Sequence, residues 1–132
     1  MCAENMWGDI KGIKKIVTPK AILEEQATFL TSATKGLLVG RVDITSSYIS
    51  EMESKGFIVT LRILVPVLSN YICDIITVRH LMKLYPLMVI NDLKNEKYEC
   101  GDEASFLSVI ETILSSGEVK QTIQLLLSQI EK

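Results

Sequence analysis

The sequence predicts an α+β fold: an N-terminal helix, a four-stranded, mainly antiparallel sheet arranged as a meander, and two C-terminal helices packed on that sheet. Three observations predict it. The stretch from Gly56 to Asp92 is dense in β-branched and aliphatic residues and repeats with period two. The segments on either side repeat with the period of a helix. The links between the strands are too short for parallel crossovers, residues 45–56 excepted, so neighbouring strands run antiparallel.

The long strand anchors the reading. Phe57, Val59, Leu61, Ile63, Val65 and Val67 form an unbroken apolar row, whereas Ile58, Thr60, Arg62, Leu64, Pro66 and Leu68 form a mixed one. One face is therefore committed to the core, and Thr60 and Arg62 look toward something wetter.

The first 17 residues are read as an arm, separate from a single domain over residues 18–132. Trp7, Ile10, Ile13, Ile16 and Val17 recur at roughly helical spacing, but Gly8 and Gly12 each weaken a helix by about 1 kcal/mol relative to Ala. A loosely attached arm or a short docking helix is expected there. Thr18-Pro19 then starts a helix, the Thr hydroxyl capping free amides and the Pro sitting where no hydrogen bond is lost. Ile22, Leu23, Gln26, Ala27, Phe29, Leu30 and Ala33 share one broad face, Lys20, Glu24, Glu25, Thr28 and Thr31 the other, and Gly36 ends the helix after Lys35.

Leu37 to Thr45 alternates as a strand with one polar side, and Gly40 marks a bulge. Thr45 to Lys55, rich in serine and charge, reads as a loop or a single helical turn. The second strand runs from Gly56 to Leu68, and Ser69-Asn70 makes a tight turn into a third from Tyr71 to His80. Pro66 near that strand's end marks an edge or a bulge. After a connection at Leu81 to Tyr85, Pro86 to Asn91 forms the fourth strand, and Asp92 to Gly101 forms an exposed loop. Asp102 caps a helix with Phe106, Leu107, Val109, Ile110, Ile113 and Leu114 on one side, and Ser116 caps a last one carrying Val119, Ile123, Leu126, Leu127 and Ile130.

Composition narrows the function classes. At 132 residues the chain can bury roughly two-thirds of its unfolded surface without staples. It is 48% hydrophobic, with mean hydropathy +0.28. That surplus fits a sheet covered on both faces or an apolar patch kept for a partner, so a homo-oligomer is expected. A net charge of −2, with the basic residues scattered, disfavours nucleic acid, whose binders show a basic face. The start of the chain carries no apolar stretch of a secretory signal and no run is long enough for a membrane span, which predicts a cytoplasmic protein. The three cysteines, Cys2, Cys73 and Cys100, share no ligand spacing and read as free thiols.

Chemistry is hard to assemble from these residues. His80 is the single histidine. Cys73 lies seven positions earlier in the same predicted strand and so points to the opposite face, while Asp74 shares the face of His80 but sits about 20 Å away at 3.3 Å per residue. No GxSxG elbow, GxGxxG, phosphate loop, zinc pattern or calcium loop is present. No metal and no cofactor is expected. Glu24-Glu25 reads as a solvated helix face. Tyr48, Tyr71, Tyr85 and Tyr98 suit amphipathic anchors at a partner surface.

Val65-Pro66, Asn70-Tyr71, Val78 with His80, Tyr85-Pro86-Leu87 and the Phe106-Leu107 helix together resemble small bacterial proteins of unassigned function. The resemblance implies a bacterial cytoplasmic protein and brings no activity with it.

The expectation is therefore a non-enzymatic protein–protein interaction module, immunity-type or chaperone-like, meeting a protein partner or a second copy of itself. Its candidate surface comprises Arg62, Asp74, His80, Tyr71 and Tyr85. The alternative is a small-molecule-binding protein or a hydrolase, with a pocket between the first helix and the sheet and His80 working with a hydroxyl or Cys73.

Overall fold

The structure is a computed structural model and describes residues 4–130; Cys2 and the rest of residues 1–3 lie outside it. Residues 4–17 form no helix or strand and are exposed, Trp7 to 81%.

Helix α1 (Pro19–Ala33) begins as its sequence dictates: Thr18 is extended and its hydroxyl accepts a hydrogen bond from the Ala21 amide at 3.2 Å. It stops short of Lys35. Thr34 turns its hydroxyl onto the Leu30 carbonyl and onto Leu38, and Lys35 and Gly36 follow with φ of 52° and 81°. Lys20 and Glu24 pair at 3.3 Å on the exposed side.

The sheet has five strands, not four. Strands β1 (Val39–Ile49), β2 (Ser54–Val65), β3 (Tyr71–His80), β4 (Leu87–Asn91) and β5 (Glu96–Cys100) lie side by side in chain order, every neighbouring pair antiparallel. The meander holds, and the fifth strand comes out of the expected loop at Asp92 to Gly101. Its alternation is short and crowded by charge: Tyr98 and Cys100 turn to the core side while Lys97 and Glu99 face out. An outermost strand needs only one apolar face, so the charges do not prevent pairing. Asn95, at φ 58°, closes the turn by donating its amide to the Asn91 carbonyl at 2.7 Å.

Other boundaries move for the same reason. Strand β1 continues through Thr45–Tyr48 because those polar residues pair with Lys55–Ile58. The turn to β2 is a short 3₁₀ segment at Ser50–Met52, closed by Glu53 at φ 51°. At the other end β2 gives way at Pro66 to a 3₁₀ turn, Pro66–Leu68, and Ser69 and Asn70 both take left-handed φ. Pro66 thus starts a turn rather than marking an edge strand, and the link to β3 is longer than a two-residue hairpin. Gly40 is not a bulge either, because β1 pairs with β2 without interruption. A Cβ at Gly40 would fall on the Ala27 backbone, so glycine is what lets α1 lie against β1.

Between β2 and β3 the register does shift: Leu61 faces Ile76 but Arg62 faces Asp74. Strand β3 holds an extra residue, which reverses the parity of everything before it. Cys73, opposite Ile63, and His80, opposite Phe57, consequently lie on the same side of the sheet, and Asp74 lies on the other. This corrects both facings expected from an unbroken strand.

All three helices pack on one face. Of the expected odd row, Val59, Leu61, Ile63 and Val65 are buried and join Leu23, Leu38, Ile76, Val78, Leu87 and Val89, whereas Phe57 is half-buried and Val67, carried into the 3₁₀ turn, is exposed. Helices α2 (Glu103–Leu114) and α3 (Gly117–Ile130) add Phe106, Ile110, Ile113, Val119 and Leu126. Asp102 and Ser105 form a reciprocal capping box at the start of α2, and Ser116 Oγ accepts from the Val119 amide at 3.3 Å.

Two substitutions test this packing by urea denaturation. Leu23→Ala is expected to cost about 2–5 kcal/mol through the cavity it leaves. Gly40→Val is expected to cost about 1–3 kcal/mol by forcing α1 off the sheet; a wild-type midpoint for Gly40→Val would contradict the Ala27 contact.

Candidate interaction surface

The other face of the sheet carries no helix. Because side chains alternate along each strand, this face collects Arg41 and Asp43 from β1, Ile58, Thr60, Arg62 and Leu64 from β2, Ile72, Asp74, Thr77 and Arg79 from β3, Met88 and Ile90 from β4, and Lys97 and Glu99 from β5.

Arg62 is its centre. Its Nε donates to Asp74 Oδ1 at 2.7 Å and its Nη1 to Asp43 Oδ2 at 2.8 Å, so the guanidinium bridges strands on both sides of its own. Those hydrogen bonds, the one to Asp74 foremost, push its ionisation further up. Arg41 sits directly across from Arg62, a like-charge pair made tolerable by Asp43, whose Oδ1 lies 3.3 Å from Arg41 Nε. With side-chain exposures of 33%, 32% and 48% for Arg62, Asp43 and Asp74, the network is half in water.

A second cluster borders it. Arg79 pairs through Nη1 with Glu51 from the 3₁₀ turn, and Lys97 Nζ lies 4.0 Å from the same carboxylate. A hydrogen bond from its own backbone, then the Arg79 and Lys97 charges, hold the Glu51 carboxyl below the usual range against some desolvation. The Arg79 Nε is buried without a hydrogen-bond partner. Thr77 Oγ1 donates to Asp92 Oδ2 at 2.8 Å.

Of the five expected surface residues, the structure brings together Arg62 and Asp74. His80 is 4% exposed on the helix side, where its Nδ1 meets the Leu81 carbonyl at 2.8 Å and its ring lies 5.5 Å from Phe57. A carbonyl only accepts, so Nδ1 carries the proton. Tyr71 is exposed at the far end of β3, and its backbone partner is Val65. Tyr85 is half-buried in the β3–β4 link and packs on the core, with its hydroxyl buried and unpartnered. Burial, then the charges of Glu103, Cys100 and Asp102, push that phenol up.

The residues missed were those that pairing supplies. Asp43 and Arg41 were legible as a polar side of β1, whereas Thr77 and Arg79 were not singled out. Glu51 carried no local signal, because a turn folded over the sheet is what brings it to Arg79.

His80 lines a recess of about 340 Å³ with Ile16, Thr18, Ile44, Phe57 and Met82. The Thr18 oxygen accepts from the Ala21 amide as the cap of α1, and neither a carboxylate nor a thiol lines the recess. Cys73 shares its side of the sheet but lies about 20 Å along the strand at 3.3 Å per residue. Burial, before any neighbouring charge, pushes the thiols of Cys73 and Cys100 up and leaves them poor nucleophiles. Among the described residues no group of three His, Cys, Asp or Glu side chains is placed to hold a metal, and no helix is long and apolar enough to cross a membrane. No family model, curated protein or solved structure matches the chain.

Asp92 makes a pH prediction. Burial, its largest influence, pushes the carboxyl up; Thr77 and the charges of Arg62 and Arg79 pull the other way. The folded chain thus holds this proton more tightly than the unfolded chain, and stability falls as pH rises above the ordinary value of 3.8. Asp92→Asn is expected to raise the thermal midpoint at neutral pH and to lose that advantage below the ordinary carboxylate range. An equal gain at both ends of a pH series would sink the assignment.

Proposed function

We propose that the chain is a non-enzymatic protein–protein interaction module that binds a partner protein through its helix-free sheet face. One observation carries the reading: an arginine held by carboxylates on both sides and flanked by the apolar Leu64 and Ile72, on a face no helix of the fold covers. Arginine beside aliphatic area is the composition of interface cores, and a prearranged guanidinium loses less freedom on binding. The partner is a folded protein with a broad polar and apolar surface. In a bacterial cytoplasm, a protein of this size and acidic balance fits an immunity-type protein that masks a toxin or a chaperone of a secreted effector.

A second reading, binding of a small apolar molecule, is supported by a cavity of about 270 Å³ between α1, the sheet and α3, lined by Ala27, Leu30, Leu61, Ile63, Val119 and Ile123 among others. Its one polar lining side chain is Gln26 and His80 is elsewhere, so the cavity favours the binding half of that reading over hydrolysis.

Native-level co-purification separates the two readings. A stoichiometric partner is expected to be retained by the wild-type chain and by Leu125→Ala on α3, and to be lost from Arg62→Glu. Retention by Arg62→Glu would place binding elsewhere.

A further inference from the structure

Strand β1 is the long outer edge of the sheet, and its backbone alternates between partners. The Gly40 amide donates to Thr31 Oγ1 of α1 at 2.9 Å, and Thr34 Oγ1 takes both the Leu38 amide, at 3.1 Å, and the Leu38 carbonyl, at 2.9 Å. Even-numbered residues of β1 therefore face outward, and odd-numbered ones bond to β2. Thr31 of α1 and Thr34, just past its end, cap the first part of this edge. From Val42 onward the caps stop, and the outward backbone groups of Val42, Ile44, Ser46 and Tyr48 have no backbone partner among the described residues. Within Val42–Tyr48 there is no proline, no lysine and no bulge, and its one charged residue, Asp43, is taken up by Arg41 and Arg62 on the open face.

We propose that this segment pairs antiparallel with the same segment of a second copy, about a twofold axis at Thr45, joining two five-stranded sheets into one. The proposal goes beyond the reading of the helix-free face and does not depend on it.

The register follows from which groups are free. Centred on Thr45, Val42 meets Tyr48 of the second copy and Ile44 meets its Ser46, so all the free residues pair with one another in about eight hydrogen bonds. Centring on Val42 would set Ile44 against Gly40, whose amide Thr31 already holds. Centring on Ile44 sets Tyr48 against that same glycine. Centring on Ser46 wastes Val42 on Ser50, which has left the strand for the 3₁₀ turn.

Side chains match in the same register. Thr45 meets its own copy on the open face, and Tyr48 meets Val42 on the helix side, both favourable cross-strand pairs. Tyr48 is 64% exposed. Beside Val42 lies a shallow recess of about 300 Å³, lined by Gly40 and Val42 with Glu24, Ala27, Thr28 and Thr31 of α1. Tyr48 of the second copy lies over it. Each copy thus carries the tyrosine at one end of the free segment and its recess at the other. That arrangement closes on itself under a twofold and is what selects a second copy over a foreign strand.

The test uses the full chain with Cys2 and Cys73 replaced by Ser. Sedimentation is expected to give twice the 14.8 kDa chain mass. Thr45→Cys is expected to form a covalent dimer under mild oxidation, because residues in a non-hydrogen-bonded pair sit about 4.5 Å apart at Cα. Ser47→Cys, which faces Asp43 in this register, is expected to cross-link far less. Ser46→Pro removes an outward amide without touching the β1–β2 bonds, and is expected to give a monomer with an unchanged circular dichroism spectrum. Tyr48→Asp, at an exposed position, is expected to do the same should the proline disturb folding. A monomer at the highest soluble concentration, a dimer indifferent to both variants, or equal cross-linking at positions 45 and 47 each overturns the proposal.

Discussion

The structure depends on strand β2 and on the difference between its two rows of side chains. It is the strand hydrogen-bonded to β1 along its whole length on one side and to β3 on the other. Its odd row is nearly all buried, and that row must be covered. Covering it draws α1 from before the sheet and α2 and α3 from after it to the same face. Once those helices are placed, the even row has no helix over it, only the Ser50–Met52 turn at its Ile58 end, and the arginine it carries is held by neighbouring strands. Core and surface network are two consequences of one alternation.

A single extra residue in β3 decides how that network is composed. Without the register shift after Leu61, the residue across from Arg62 would be Ile75, and Asp74 would join the core side. With it, the carboxylate reaches the guanidinium and Ile75 stays buried at 1% exposure. A bulge is commonly a device for re-aiming a side chain, and here it sends an acid to a base across strands. The same shift brings Cys73 to the helix side with His80, yet the two stay at opposite ends of the strand. Facing alone does not build a catalytic pair.

The contact between α1 and β1 shows how local and tertiary forces share one element. Thr31 reads as a polar residue on an exposed helix face and Thr34 directly follows the helix, and in isolation their hydroxyls would return to the helix carbonyls. Both do so, and both also meet backbone groups at the first part of β1. Gly40 permits the approach and the threonines satisfy the edge where the helix overlies it. Beyond the reach of the helix the edge is bare, so the end of α1's overlap, rather than any feature of β1 itself, sets which backbone groups are left free.

Much was legible from residues alone because it rests on interactions a few positions apart. Thr18-Pro19 and Asp102 start their helices by local capping, the odd row of β2 is apolar in any context, and short links between strands leave little choice but a meander. The fifth strand was not legible: Glu96 to Cys100 is charged and short, and it becomes a strand only because β4 offers it an open edge. The polar reach of β1 beyond Thr45 has the same cause. At the candidate site, Arg62 could be placed on a wetter face from its parity, and Asp74 could be named beside it. Which acids reach it, that Glu51 returns to Arg79, and that His80 and Tyr85 face the core were decided by strand register and by a turn folded over the sheet. The sequence by itself determined the helix starts, the buried part of β2 and the order of the three helices and the first four strands, because capping and side-chain period act within a few residues. The tertiary structure alone decided the bulge, the edge strands and the ion-pair partners, because a hydrogen bond or a charge pair between strands exists only once another part of the chain is there to receive it.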